Sequence, residues 1–379
     1  MRVAFLASHV YPLLAGRGDF PVIGGAEVQQ HLLARELRAF GLEIRLVVED
    51  LGQGPECTAD GFVLHGYRFG RDKVAQARSL WRALRTADPD VIYVRNVPRF
   101  ITVLLAFRWR YRRPLVLGLS TNYHVYPRSV TGQNLLDYLA YRLALREADA
   151  VVAQSEFQAR GLDRHFRRRD ARVIRNGAVA TPAPPDDALR DRVAWIATLH
   201  PYKGIERLFD LARRLPGLQF EVVGGPARGQ DGYYRAMEAV ARGIPNLSWR
   251  GFVQHDRIDE ILARSFALVN TTTSFQGVPN VEGFPNVYLE AWRNAVPVLT
   301  LDNDPDGLIE AKGLGFHCPT PAAMAADLTR LAADPALRGR IGRAARRHFE
   351  EEHDIRDIAR RYAKLFEELA RGARSMGAR

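Results

Sequence analysis

The chain has 379 residues, 47% of them hydrophobic and 26% charged, with a formal net charge of +11. That length suits two domains of roughly 150–200 residues, the composition excludes an intrinsically disordered chain, and two cysteines, Cys57 and Cys318, supply neither a disulfide framework nor a metal-ligand set. Residues 1–180 carry 27 Lys/Arg against 17 Asp/Glu and the remainder 27 against 26, so the excess charge belongs to the N-terminal half, where it signals an anionic partner or a solvated basic surface.

In chain order, residues 3–8 form a strand pattern, not a signal peptide, and the apolar run 100–107 is too short to span a bilayer. A soluble cytoplasmic protein is expected. Residues 26–39 are helical, with Val28, Leu32, Leu33 and Leu37 on one face, and strands follow at 44–49, 90–95, 114–120 and 150–155. The Pro-rich stretch 181–187 reads as a linker. The rhythm then restarts, with strands at 192–198, 219–225, 247–253, 266–272 and 297–302, a helix at 204–215, and a long amphipathic helix over 354–372. Strands alternating with helices predict an α/β chain of two Rossmann-like parallel-sheet domains facing a cleft: residues 1–180, residues 181–354, and a terminal helix over 355–379 that packs back on the first. Ligands of such sheets bind at the carboxyl ends of the strands.

The segment Glu282-Gly-Phe-Pro-Asn-Val-Tyr-Leu-Glu290 separates two carboxylates by seven residues. Pro285 suits the first turn of a helix running from Asn286 to Arg293, with Asn294 as a left-handed cap. The free backbone N–H groups of residues about 285–288 would then form an anion site at the helix start, able to hold a diphosphate. Glu290 would accept hydrogen bonds from a ribose and Glu282 would face a sugar. Spacing alone favours a surface helix with a chance pair of glutamates, since such pairs are common.

At these residues the chain resembles the family-4 retaining glycosyltransferases, whose E-x7-E signature Glu282 and Glu290 match. The resemblance extends along the chain. Ile23-Gly-Gly-Ala-Glu27 is similar to the family's N-terminal glycine loop, 148–156 and Ile174-Arg-Asn-Gly177 to segments before the interdomain region, and Tyr202-Lys-Gly204 to its lysine–glycine motif. The resemblance implies a GT-B fold and metal-independent transfer of a sugar with retained configuration. It assigns the donor to the C-terminal domain and the acceptor to the N-terminal domain. It makes Glu282 and Lys203 catalytic, the lysine answering the leaving diphosphate. Donor contacts are expected from Gly24, Gly25, Thr198, Lys203, Phe252, Gly283, Phe284, Pro285, Asn286, Val287 and Glu290. A UDP-sugar is expected ahead of a GDP-sugar, with no cofactor and no metal. The acceptor is expected to be a glycan or a polyprenyl-phosphate-linked sugar, in bacterial surface polysaccharide synthesis. Rival readings are a non-catalytic nucleotide-sugar-binding protein and an epimerase or phosphorylase on the same fold.

The chain departs from the family at two places. Thr198 stands where an arginine usually helps hold the phosphates, leaving His200 or Arg250 as replacements. Ser120 stands where a histidine is common, with His124 four residues on as an acceptor-side alternative. Of two Asp-Pro-Asp runs, that at 88–90 reads as a turn before a strand and that at 304–306 could reach the cleft; neither is expected to bind metal. The run Phe107-Arg-Trp-Arg-Tyr-Arg-Arg113 interleaves aromatics with cations and suggests weak association with anionic membrane on the inner face of the plasma membrane. No nucleic-acid motif is present, and no nucleic-acid partner is expected.

Overall fold

Runs rich in Val, Ile and Leu form strands buried on both faces, as a parallel sheet covered by helices on each side demands. The structure, a computed structural model, describes residues 1–16, 24–96, 100–127, 135–182, 190–275, 277–278 and 282–377. Ile23 of the glycine loop and most of the Pro-rich 181–187 stretch lie outside the described residues. The chain divides into two units, Met1–Gly177 with Ile355–Arg379, and Ala178–Asp354.

The first unit carries β1 (Arg2–Leu6), β2 (Glu43–Glu49), β3 (Glu56–Ala59), β4 (Phe62–Tyr67), β5 (Val91–Arg95), β6 (Leu115–Gly118), β7 (Ala150–Ala153) and β8 (Arg172–Val173). They form one sheet in the order β3-β4-β2-β1-β5-β6-β7-β8, parallel throughout except for the antiparallel β3–β4 edge. Val3 on β1 sits opposite Ile44 and Val91. The order reverses between β1 and β5. One sheet face packs on the Gly25–Ala39 helix and the terminal Ile355–Gly377 helix. The terminal helix stays because Ile355, Ile358, Tyr362, Leu365 and Phe366 recur on one face and are buried against Phe5 and Tyr93, each contributing roughly 1.5–3 kcal/mol by burial. The other face packs on the Lys73–Ala87, Ile101–Tyr111, Leu135–Glu147 and Glu156–Phe166 helices.

The motif Ile174-Arg-Asn-Gly177 closes this unit. The Gln29 amide accepts from Gly177 N at 3.1 Å and donates to Gly177 O at 2.8 Å. A Cβ on Gly177 would stand 2.9 Å from Ile355 Cα, so a side chain there would force the terminal helix away. Arg95 donates to Asn176 Oδ1 at 2.6 Å.

The second unit carries β9 (Arg192–Ile196), β10 (Gln219–Val223), β11 (Leu247–Gly251), β12 (Ser265–Asn270), β13 (Val298–Thr300) and β14 (Gly315–His317), all parallel, in the order β11-β10-β9-β12-β13-β14. The order reverses between β9 and β12, and such a switch point opens a crevice at the strands' carboxyl ends. Helices Ile205–Arg214, Asp231–Ala241 and Pro321–Ala333 cover one face. Helices Ile258–Ala263, Asn286–Arg293 and Pro335–Glu352 cover the other.

The Asn286–Arg293 helix has the expected bounds, but its ends differ from the sequence-based expectation. Pro285 is its N-cap, one position before the first turn, and its carbonyl accepts from Tyr288 N at 3.2 Å. Asn294 is not left-handed; Ala295 takes that conformation, with φ 54°. The reason is that the Asn294 amide is held within the helix end, donating to Asp259 Oδ1 at 2.6 Å and to Glu290 O at 2.9 Å. The chain therefore turns one residue later.

Candidate functional site

At the switch point of the second unit the chain leaves β9, passes Thr198 and His200, and makes a 3-10 turn over Pro201–Lys203. Gly204 ends that turn and starts the next helix with φ 63°, and a Cβ there would come within 2.8 Å of Thr271 O. Only glycine adopts this conformation freely and leaves room for that carbonyl. From the end of β12, Thr271 donates its hydroxyl to Lys203 O at 2.7 Å and accepts from Trp195 Nε1 at 2.9 Å. The Lys203 loop is thereby tied to the two strands that flank the crevice.

The Lys203 Nζ is ion-paired to Glu282 Oε1, and both side chains are mostly enclosed. Burial pulls the Lys203 ammonium below the usual lysine range, while the touching carboxylate favours the charged form. The other oxygen, Glu282 Oε2, is buried with no hydrogen-bond partner among the described residues. A buried carboxylate oxygen left without a partner costs free energy that a hydrogen-bond donor would recover. The loop is steadied by Asn303, fully buried just past β13, whose amide donates to Glu282 O at 3.5 Å. Four residues after Glu282 begins the Asn286–Arg293 helix, whose N-terminus is the positive end of its dipole.

Glu290, on the same helix, is buried. Its Oε1 lies 3.4 Å from His255 Nδ1. Burial raises its pKa, with the charges of His255 and Arg293 acting in the opposite direction. Phe252 is exposed at the end of β11, beside a groove of about 630 Å³ lined in part by Glu221, Arg250, Val253 and Ile261. Gly283 and Pro285 are buried, Asn286 and Val287 half-buried. Phe284 is buried against Trp292 and His353, so its ring belongs to the core and only its backbone faces the loop.

Of the two replacements considered for the missing arginine, Arg250 is already engaged: its Nε reaches Glu221 Oε1 at 2.5 Å, and Glu221 also holds Arg192. His200 packs against Tyr202 and Phe275, and its Nδ1 accepts from Tyr202 N at 3.4 Å. Burial, then the Lys203 charge, lower its pKa. Reading motifs alone missed Thr271, Asn303 and His255. Thr271 and Asn303 carry a positional signal, since each lies just past the carboxyl end of a strand.

In the first unit, Gly24 and Gly25 are the N-cap and first residue of the Gly25–Ala39 helix. Ser120 is half-buried two residues past β6. His124 lies in a 3-10 turn over Asn122–Val125. Burial, aided by the Arg95 charge, holds it down to about 4, and its Nδ1 has no partner among the described residues. It is a neutral imidazole at neutral pH.

In each Asp-Pro-Asp run at least one aspartate is engaged by the protein itself. Asp88 ends a helix in the left-handed conformation and pairs with Arg2 and Arg113. Asp304 accepts from Ile309 N at 2.8 Å, capping a short helix. Among the described residues no three His, Cys, Asp or Glu side chains form a metal-binding group, and no helix is long and apolar enough to cross a membrane.

The run 107–113 does not present its aromatics as expected. Phe107 is buried, Tyr111 stacks on Phe107 and Trp81, and only Trp109 is half exposed. Arg108 is held by Asp149 at 2.8 Å, and Arg113 by Asp88 at 3.2 Å. The cause is helical: this stretch ends the Ile101–Tyr111 helix, and residues four apart face the core together.

Residues 23–181 match the family model described as Glycosyltransferase Family 4, and residues 189–348 match that described as Glycosyl transferases group 1. No curated protein matches the chain. Among solved structures, it is similar to a sucrose-phosphate synthase from Thermosynechococcus elongatus, with TM-score 0.80 and 17% identity over 97% of this chain and 99% of that one. It is also similar to the Anabaena protein Alr3699/HepE, solved with UDP and with UDP-glucose, at TM-scores 0.75 and 0.74 and 21% identity, covering 97% of this chain and all of that one.

Proposed function

The chain belongs to the family-4 glycosyltransferases, with their GT-B fold, and we propose that it is a retaining enzyme moving a sugar from a UDP-sugar to a glycan or polyprenyl-phosphate-linked acceptor. The setting proposed is bacterial surface polysaccharide synthesis, on the cytoplasmic side of the plasma membrane. The observation that carries the reading is the Lys203–Glu282 pair at the β9/β12 switch point, with one buried Glu282 oxygen unpartnered among the described residues, close before a helix N-terminus.

In this reading the second unit holds the donor. The diphosphate lies against the start of the Asn286–Arg293 helix, among the backbone of Gly283 to Val287. Lys203 exchanges part of its hold on Glu282 for the phosphate oxygens. Thr198 and His200 stand at the same strand end, in the place of the family's arginine. Glu290, oriented by His255, accepts the ribose hydroxyls, and the base lies near Phe252. As the bond between sugar carbon and phosphate oxygen breaks, positive charge grows on the sugar ring and negative charge on the departing diphosphate. Glu282 answers the first and Lys203 the second, so the stabilisation peaks in the transition state. The acceptor oxygen bonds the same carbon from the same face, and the departing phosphate takes its proton. Gly24, Gly25, Ser120 and His124 are proposed for the first unit's share of the substrates, with His124 able only to accept or donate one hydrogen bond as a neutral ring. The proposed reaction uses no metal.

The test is a panel of UDP-, GDP-, ADP- and TDP-sugars, read by thermal shift and by donor turnover. UDP is expected to raise Tm most, and UDP-sugar turnover to persist in EDTA. Binding without turnover would assign the chain to the non-catalytic nucleotide-sugar binders. Turnover abolished by EDTA and restored by Mg²⁺ would refute metal independence.

A further inference from the structure

The Leu135–Glu147 helix is apolar on two faces. Tyr141, Ala144 and Leu145 are buried in the core of the first unit. On the opposite side Leu135, Leu136, Leu139 and Leu143 are 65, 77, 49 and 38% exposed. With 100° per residue, positions 135, 136, 139 and 143 fall in one stripe about a quarter-turn wide. A helix needs one apolar face to pack on its own domain. A second face, left in water, costs free energy at every leucine unless something else covers it.

The surroundings of the stripe say what covers it. Arg142 and Arg146 project from the same side, and Arg146 is 82% exposed. Among the described residues neither pairs with a carboxylate across the stripe: Arg142 lies over the Tyr138 ring and Arg146 reaches its neighbour Glu147. Beside them, half-exposed Trp109 donates from its indole to Glu147 Oε2 at 3.3 Å, which joins the end of the neighbouring helix to this one. Exposed Arg110 and Arg112 continue the positive rim. Leucines in a stripe, an indole at the margin and arginines alongside match a surface that lies in the headgroup region of an anionic bilayer, with apolar groups at the acyl boundary and guanidinium groups on lipid phosphate.

We infer that the Leu135–Glu147 helix is the element by which this protein rests on anionic membrane. The inference deepens the plasma-membrane setting proposed above, and it moves the contact from the 107–113 run, whose aromatics are mostly inward, to the leucine stripe. An acceptor anchored in lipid would then be met at the surface where it resides.

The experiment uses the full chain, sedimented with vesicles of phosphatidylcholine containing 30% phosphatidylglycerol, and with pure phosphatidylcholine. The wild type is expected to bind the mixed vesicles and not the neutral ones at low salt. L136S/L139S/L143S is expected to lower partitioning at least tenfold, and R142Q/R146Q several-fold. Because the leucines are solvent-exposed, Tm and turnover of UDP-sugar in vesicle-free buffer should match wild type in both variants. L139Q alone, expected to lower binding about threefold, keeps the test open if the triple variant misfolds. Equal binding by wild type and leucine variants would overturn the inference. So would a wild-type dimer in light scattering that the leucine substitutions convert to monomer, since the stripe would then be covered by a second copy. Donor turnover with no vesicle binding would sink this inference and leave the proposed function standing; vesicle binding with no turnover would do the reverse.

Discussion

At the switch point of the second unit, between β9 and β12, a mostly enclosed ammonium meets a mostly enclosed carboxylate. Around the switch point of the first, between β1 and β5, the side chains that close the sheet are tied down. Arg95 at the end of β5 is bonded to Asn176, Tyr93 faces Tyr362 with hydroxyls 3.5 Å apart, and His124 is a neutral ring. The two sheets follow the same doubly wound rule, yet among the described residues only the second gathers opposite charges with a carboxylate oxygen left over at this point. The first buries one arginine, Arg95, at its switch point and carries other arginines on the surface beside exposed leucines. The same strand reversal occurs twice, and the side chains at the strand ends differ between the two.

The sharpest way to break this contrast is Lys203→Ala. It should lower kcat/KM for the UDP-sugar by 10²–10³-fold, roughly 2–4 kcal/mol of lost transition-state stabilisation, with the fold retained by circular dichroism. Near-normal turnover would remove the second unit's claim to the chemistry.

The two glutamates should fail differently. Glu282→Gln is expected to lower kcat about 10²-fold with little change in donor KM, because its free oxygen acts on charge that develops at the sugar. Glu290→Gln is expected to raise donor KM about tenfold and spare kcat, because a ribose contact persists from ground state to transition state. Steady-state kinetics on both variants decides, and reversed behaviour would exchange the roles.

Gly204→Ala probes the scaffold under the lysine. A Cβ would crowd Thr271 O and would need the left-handed conformation, so a loss of about 1–2 kcal/mol in urea unfolding is expected, with a fall in activity from the displaced lysine loop. Unchanged stability and activity would show that the loop has slack.

The smallest effect sharpens the other side of the comparison. His124 has a folded pKa of about 4, below its ordinary 6.5, so between those values the unfolded chain binds more protons. Stability contributed by the neutral ring is present above pH 6.5 and is lost as pH falls towards 4. Discounted for partial exposure, the loss is about 1–2 kcal/mol. His124→Gln should flatten the pH dependence of urea unfolding over that window, whereas a group central to catalysis would instead move the pH profile of kcat.

Much of the fold was legible because buried parallel strands must be continuous apolar runs. β1, β2, β5, β7, β9, β10 and β12 each announce themselves that way, and their bounds differ from the expected ones by a few residues at the ends. The β3–β4 edge pair was not legible: Glu56, Thr58 and His65 interrupt any run, since an edge strand meets solvent on one side and His65 is buried by the sheet and not by its own hydrophobicity. β14 and β8 are too short to carry a pattern.

The site divides in the same manner. Glu282, Glu290 and Lys203 stand in short ordered motifs, so the chain order alone places a carboxylate before a helix, another within it and a lysine after the first strand. Their pairing is long-range. That Lys203 meets Glu282, that Arg250 is spent on Glu221, and that Phe107 and Tyr111 turn inward follow from which strand ends and helix faces are neighbours. The exposed leucine stripe is of the same kind, since leucines at 135, 136, 139, 143 and 145 look alike in sequence and only packing of the first unit separates the buried one from the four in water. Local pattern determined the elements and the residue types at the loops, because backbone hydrogen bonding and apolar periodicity act over a few residues. Which charges meet, and which apolar face is left over, was decided by tertiary structure, because burial and electrostatics depend on distances between residues far apart in the chain.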